Sequence, residues 1–147
     1  MYHYTESGLT TVWLTNGYNS QILEGETYTS IEDAGGLHHL IAKTLVNRRS
    51  PLDAEEIRFL RIEMNMSQKA LAELMGVDVQ TLARWEKGQS SLPRTADVAL
   101  RALYTESCDE ESHIGLLMRM LADAEINQSM EKLVFEERDR TWQQIAG

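Results

Sequence analysis

Ser67-Gln-Lys-Ala-Leu-Ala-Glu-Leu-Met-Gly76-Val-Asp78-Val-Gln-Thr-Leu-Ala-Arg-Trp-Glu-Lys-Gly88 decides how the chain is read. Ala70, Leu71, Leu74 and Met75 recur at helical spacing behind Ser67, whose hydroxyl can accept an orphan N–H of the first turn. Gly76 supplies the permissive backbone of a tight turn, and Val77 plugs the gap behind it. Asp78 caps a second predicted helix carrying Val79, Leu82 and Trp85, which ends at Gly88. Two short helices joined through a glycine turn leave the second free to enter a DNA major groove.

Around this core, Asp53 can cap a helix that turns Ile57, Leu60, Arg61 and Met64 inward. Ala96 to Thr105, with Val98, Leu100, Ala102 and Leu103, reads as a closing helix.

The segment from about Asp53 to Tyr104 resembles the Xre type of helix-turn-helix protein, the family of the phage repressors and Cro. Ser67-Gln68, Ala72, Gly76, Val77 and Trp85-Glu86-Lys87-Gly88 carry the likeness, with Pro93 and Leu100 to Leu103 where the family places its closing helices. The resemblance implies that Val79, Gln80, Thr81 and Arg84 reach base edges. Their chemistry suits that role, since glutamine can bond adenine twice, arginine can fork onto guanine O6 and N7, and a Val or Thr methyl can touch a thymine methyl. It also implies that Gln68 anchors the domain to phosphate at a helix N-terminus, and that Arg61 pairs with Glu86 in a structural ion pair. Lys87, Gln89, Ser90 and Arg94 flank the second helix and can supply further backbone contacts, which position without specifying. On an isolated helix Gln80, Thr81 and Arg84 would read as a solvated face; the surrounding motif favours contact with DNA. Leu82 and Trp85 read as core.

Upstream, Thr11-Val-Trp-Leu-Thr leads into Asn16-Gly17, a two-residue hairpin signal, with Tyr18 to Leu23 as the returning strand. Glu24-Gly25-Glu26 is a second turn, followed by a third predicted strand, Thr27 to Ile31. Asp33 can cap a helix whose Leu37, Leu40, Ile41, Leu45 and Val46 would cover that sheet. Arg48-Arg49-Ser50-Pro51 then breaks the pattern and marks a boundary. Tyr2-His-Tyr-Thr-Glu-Ser-Gly-Leu-Thr10 and Val12-Trp-Leu-Thr-Asn-Gly-Tyr18 are similar to the start of MqsA-like antitoxin-family regulators, in which an N-terminal module precedes an Xre-type domain. The founding members hold zinc there with cysteines; this chain has none before Cys108, so no metal is expected.

Downstream, Ile114, Leu116, Leu117, Met120 and Leu121 recur at helical spacing, and their stripe would pack on the same chain or serve as a dimerisation element. Lys132 to Glu136 and Thr141 to Ile145 read either as a terminal β-hairpin, which could join the N-terminal sheet, or as one helix through Arg138. The acid cluster Asp109-Glu-Glu reads as a solvated loop or helix start.

The expected fold is therefore α+β. A small N-terminal antiparallel sheet with a helix occupies residues 1–50, an all-α lambda-repressor-like helix-turn-helix domain 51–106, and an acidic, helical C-terminal extension 107–147. The net charge of −9 is unevenly spread: Lys and Arg against Asp and Glu run 3 to 5 over residues 1–50, 7 to 8 over 51–104, and 4 to 10 over 105–147. A near-neutral middle can present one basic face, so the balance argues against promiscuous nucleic-acid binding and leaves room for a specific operator. The apolar runs fall short of a membrane span, the N-terminus lacks a signal-peptide pattern, and a cytoplasmic protein is expected.

No cofactor and no catalytic residue are expected either. The adjacent pair His38-His39 points about 100° apart on a helix and cannot form an i, i+4 metal pair; surface or partly packed histidines are the better reading. The sequence thus favours a dimeric repressor of double-stranded, palindromic operator DNA, with antitoxin-like autoregulation as one form. A module that binds a toxin or another protein, with DNA secondary, is the alternative.

Overall fold

The computed structural model describes residues 1–109 and 132–145. In chain order these form β1 (Tyr2–His3), a 3-10 turn (Thr5–Ser7), β2 (Trp13–Leu14), β3 (Tyr18–Leu23), β4 (Glu26–Ile31), α1 (Ala34–Asn47), α2 (Ala54–Glu63), α3 (Gln68–Met75), α4 (Val79–Glu86), α5 (Arg94–Ser107), β5 (Val134–Arg138) and β6 (Thr141–Ile145). The fold is α+β, as the sequence indicates. The predicted stripe from Ile114 to Leu121 and the acids Glu110 and Glu111 lie outside the described residues.

One core joins the helices. Leu60, Leu71, Leu82 and Leu100 come from four of them and are essentially inaccessible, with Ile57, Phe59, Trp85 and Tyr104 around them. Leu9, Ala42, Leu45 and Leu52 belong to the same cluster, so packing runs across the Arg48–Pro51 connection. Burying a side chain of this size contributes roughly 1.5–3 kcal/mol, which makes this cluster the main source of cohesion.

The connection is fastened by charge as well. Arg48 forks onto Glu56 through both terminal nitrogens at 2.6 Å, and Glu56 also accepts the Asp53 N–H in a capping box that starts α2. The bond to Glu56 pushes the Arg48 pKa above its ordinary value. Buried Asp97 accepts the Leu52 N–H at 2.9 Å and Arg101 Nε at 2.5 Å. Arg101 in turn donates to the carbonyls of Val46, Arg48 and Ser50.

The strands and α1 depart from the sequence expectation in three ways. Asn16-Gly17 does not join a hairpin: β2 pairs with β1, in the register Tyr2 to Leu14 and His3 to Trp13, while β3 pairs with β4 as a separate two-stranded sheet. The tight turn lies at Glu24-Gly25, where φ values of 52° and 81° match the doubly left-handed geometry that suits a two-residue hairpin loop. Second, α1 packs chiefly on α2 and α5 and not over a sheet. Its inward positions are Ala42 and Leu45, flanked by His38, Ile41 and Val46, which places Leu40 on the outer side, 60% exposed. Third, β5 and β6 form the terminal hairpin, one of the two readings the sequence allows, turning at Asp139-Arg140 (φ 49° and 66°), but they join no other described strand. The helical reading through Arg138 is thereby replaced.

Candidate nucleic-acid interface

Each helix of the central segment is started and stopped by local chemistry. Ser67 Oγ accepts the Ala70 N–H to open α3, and Asp78 Oδ1 accepts the Gln80 N–H to open α4. Gly76 ends α3 in the left-handed region at φ 71°, with the Val77 N–H closing back to the Ala72 carbonyl at 3.0 Å. Gly88 closes the end of α4 in the same way, with Gln89 N–H on the Arg84 carbonyl at 2.9 Å. The turn between α3 and α4 is thus Gly76-Val77-Asp78, as read from the sequence.

Behind the two helices, Leu71 and Ala72 of α3 and Leu82 and Trp85 of α4 are buried. Two of each helix's faces are thereby assigned, because the amphipathic period sends the residues between them outward. Val79 is 40% exposed, Gln80 and Arg84 are exposed and Thr81 is half-buried, so the four proposed base readers are presented along one helix. Lys87, Gln89, Ser90 and Arg94 are exposed in the loop that follows and at the start of α5. Among the described residues the side chains of Arg84, Lys87 and Arg94 make no hydrogen bond or ion pair, which leaves their donors available to an anion.

The predicted pair of Arg61 and Glu86 is present and bidentate, Nε to Oε2 at 2.8 Å and Nη2 to Oε1 at 2.9 Å. Their side chains are 13% and 3% exposed. Arg61 also reaches the Met66 carbonyl at 3.0 Å, where the chain leaves α2 through Asn65 at φ 57°. Gln68 donates Nε2 to Glu86 Oε1 at 3.3 Å. The sequence reading placed Gln68 on phosphate; in the structure its amide is first oriented by Glu86. Because an amide carries two N–H groups, one can be held by Glu86 while the other faces a phosphate. Arg61, Glu86 and Gln68 therefore couple α2, α4 and the N-terminus of α3 into one unit.

Residues 57–99 match the model of the Helix-turn-helix family. This segment is a helix-turn-helix DNA-binding domain. It takes in most of α2, all of α3 and α4, and the opening of α5. No curated protein and no solved structure matches the chain.

Several residues that shape the domain's surroundings have no motif to reveal them. Tyr4 is buried against α1 and its hydroxyl meets His38 Nε2 at 2.8 Å, while His38 Nδ1 lies 2.7 Å from Glu63 on α2. Burial raises the Tyr4 pKa, helped by the negative charges of Glu6 and Glu63. His39 meets the Tyr104 hydroxyl at 3.2 Å, and burial followed by the Cys108 contact raises the Tyr104 pKa. The adjacent histidines thus pack on different partners, one toward α2 and one toward α5. Among the described residues no group of three or more His, Cys, Asp or Glu side chains is placed to hold a metal, and no helix is long and apolar enough to cross a membrane.

Proposed function

We propose that this chain is a sequence-specific transcriptional regulator that binds double-stranded operator DNA as a dimeric repressor. The observation that carries the reading is the outer face of α4: exposed Gln80 and Arg84, whose side chains make no hydrogen bond or ion pair among the described residues, on a helix whose other face is held by Leu82 and Trp85. In this reading Val79, Gln80, Thr81 and Arg84 read bases, and Gln68, Lys87, Gln89, Ser90 and Arg94 hold the backbone. No residue is given a catalytic role, and the protein acts in the cytoplasm, on the nucleoid when bound. The MqsA-like start of the chain supports control of its own operon in the manner of antitoxin-like regulators.

Selection of genomic fragments on the purified protein tests this. A palindromic motif whose half-sites lie about 10–10.5 base pairs apart is the expected product, as a two-fold reader requires. A pool that stays unenriched in any sequence refutes the reading.

A second role, binding of a toxin or another protein, is favoured by one feature: Phe135 and Trp142 share a face of β5–β6 and are both exposed. A protein partner that co-purifies, and loses its hold on a Phe135→Ser/Trp142→Ser chain, is the expected result. No partner at native expression level removes the role.

A further inference from the structure

Natural sheets shield their edges with charge, proline, bulges or covering elements, because an open row of N–H and C=O groups pairs with any strand it meets. Among the described residues the β3–β4 ribbon has an edge without those defences. Tyr18-Asn-Ser-Gln-Ile-Leu23 contains no charged residue and no proline, and among the described residues it pairs only with β4.

Its outward groups follow from the ladder. Glu32 N–H donates to the Gly17 carbonyl at 2.8 Å, so Gly17 and Glu32 form a bonded pair, and alternation makes Asn19–Ser30, Gln21–Tyr28 and Leu23–Glu26 the bonded pairs beyond it. The backbone groups of Tyr18, Ser20 and Ile22 therefore point away from β4. The side chains of the same three residues share one face, where Ser20 Oγ lies 3.0 Å from Thr29 Oγ1 and the Tyr18 ring rests on Tyr2 at 5.1 Å. On that face Ile22 is 76% exposed.

The geometry points to a second copy of this chain as the occupant of the β3 edge, paired antiparallel about a two-fold axis at Ser20 to give a continuous sheet in the order β4-β3-β3-β4. In this register Tyr18 lies opposite the partner's Ile22, and the reverse, and about six backbone hydrogen bonds close the seam. An aromatic ring directly across from a β-branched side chain is a favourable cross-strand pair, and Ile22 loses its exposure against the partner's Tyr18 and Tyr2. The other face sets Asn19 against the partner's Gln21, amide on amide.

Charge selects this edge over β4. Pairing β4 with its copy about Thr29 would place Glu26 opposite the partner's Glu32 at both ends, a like-charge juxtaposition that opposes association. About Ser20 no two acids meet, since Glu24 falls opposite the partner's Asn16. In a chain of net charge −9 an uncharged edge is where a copy can approach at least cost. The interface takes its purpose from the dimeric reader proposed above, which needs a second half-site reader.

Mass in solution, measured without DNA by light scattering, tests it separately from operator binding. The full-length chain is expected at twice its 16.8 kDa. Ser20→Pro removes an outward N–H and spares the ladder to β4, so it is expected to give a monomer, whereas Thr29→Pro on the other edge is expected to leave the dimer intact. Should Ser20→Pro fail to fold by circular dichroism, Asn19→Lys/Gln21→Lys decides: it is expected to be monomeric alone and to form a mixed dimer with Asn19→Glu/Gln21→Glu. A monomeric wild type, or a dimer that survives the lysine pair, overturns the assignment. Loss of the dimer with no operator found retains this interface and refutes the DNA reading; operator binding by a chain whose dimer ignores β3 does the reverse.

Discussion

Glu86 is a point at which the interior of the DNA-binding domain rests on the side chain of one other residue, Arg61. Its carboxylate is 3% exposed as a side chain and accepts three donors, two from Arg61 at 2.8 and 2.9 Å and one from Gln68 at 3.3 Å. Arg61→Met keeps an unbranched apolar stem and removes both short bonds, together with the one to the Met66 carbonyl. A buried charge stripped of its partner costs about 3–5 kcal/mol, and the lost bond from the guanidinium to the Met66 carbonyl is counted within that range. Set against the roughly 5–15 kcal/mol of a small domain, this lowers the urea midpoint by about a fifth or more. Replacing both partners, Arg61→Met with Glu86→Leu, removes the orphaned charge and is expected to recover to within about 1.5 kcal/mol of the wild type. The double-mutant cycle therefore predicts a coupling of at least about 2 kcal/mol, measured by urea unfolding followed by far-ultraviolet circular dichroism. A single-variant loss below about 1 kcal/mol, or a double variant no better than the single, would refute the account of Glu86 as a buried charge held by Arg61.

Three further outcomes follow from the same geometry. Lys87→Ala is expected to weaken binding to all sequences alike and to lower the slope of log affinity against log salt by about 0.9, read from titrations at several salt concentrations; an altered sequence preference would contradict its backbone role. Gly76→Ala is expected to cost about 1–2 kcal/mol by chemical denaturation, because φ is 71° and an added Cβ meets nothing within 4 Å, so backbone strain alone is felt. Tyr4 is held neutral by burial above its ordinary pKa, so it contributes no pH dependence below about pH 10 and progressively less stability above it, as the unfolded chain ionises first. Tyr4→Phe is expected to flatten part of that alkaline fall in the urea midpoint, and an unchanged slope would show that Tyr4 does not contribute.

The helix-turn-helix was legible because each of its boundaries is a local event. A serine cap, a glycine stop, an aspartate cap and a second glycine stop occur in order, and the intervening apolar residues keep a helical period. The ion pair of Arg61 and Glu86 was legible only through the family pattern, since the two are distant in sequence. The N-terminal sheet misled for a physical reason: Asn16-Gly17 has the composition of a hairpin turn, yet Trp13 and Leu14 find their partners in Tyr2 and His3, a choice that tertiary packing makes. Leu9 and Tyr4 carry no periodic signal, and their burial depends on where α1 and α2 meet. Arg101 lies within the predicted closing helix, but its grip on the 46–50 carbonyls is a long-range contact that no local pattern announces.

The central claim, that the outer face of α4 reads operator sequence, is tested most directly by fluorescence anisotropy on the chain's own promoter and on scrambled DNA, for wild type and Arg84→Ala at two salt concentrations. Selective wild-type binding, weakened about 5- to 150-fold on the promoter by the loss of one arginine–guanine pair and left nearly unchanged on scrambled DNA, is the predicted result. Binding that is absent, or equal on both DNAs and indifferent to Arg84, would contradict it.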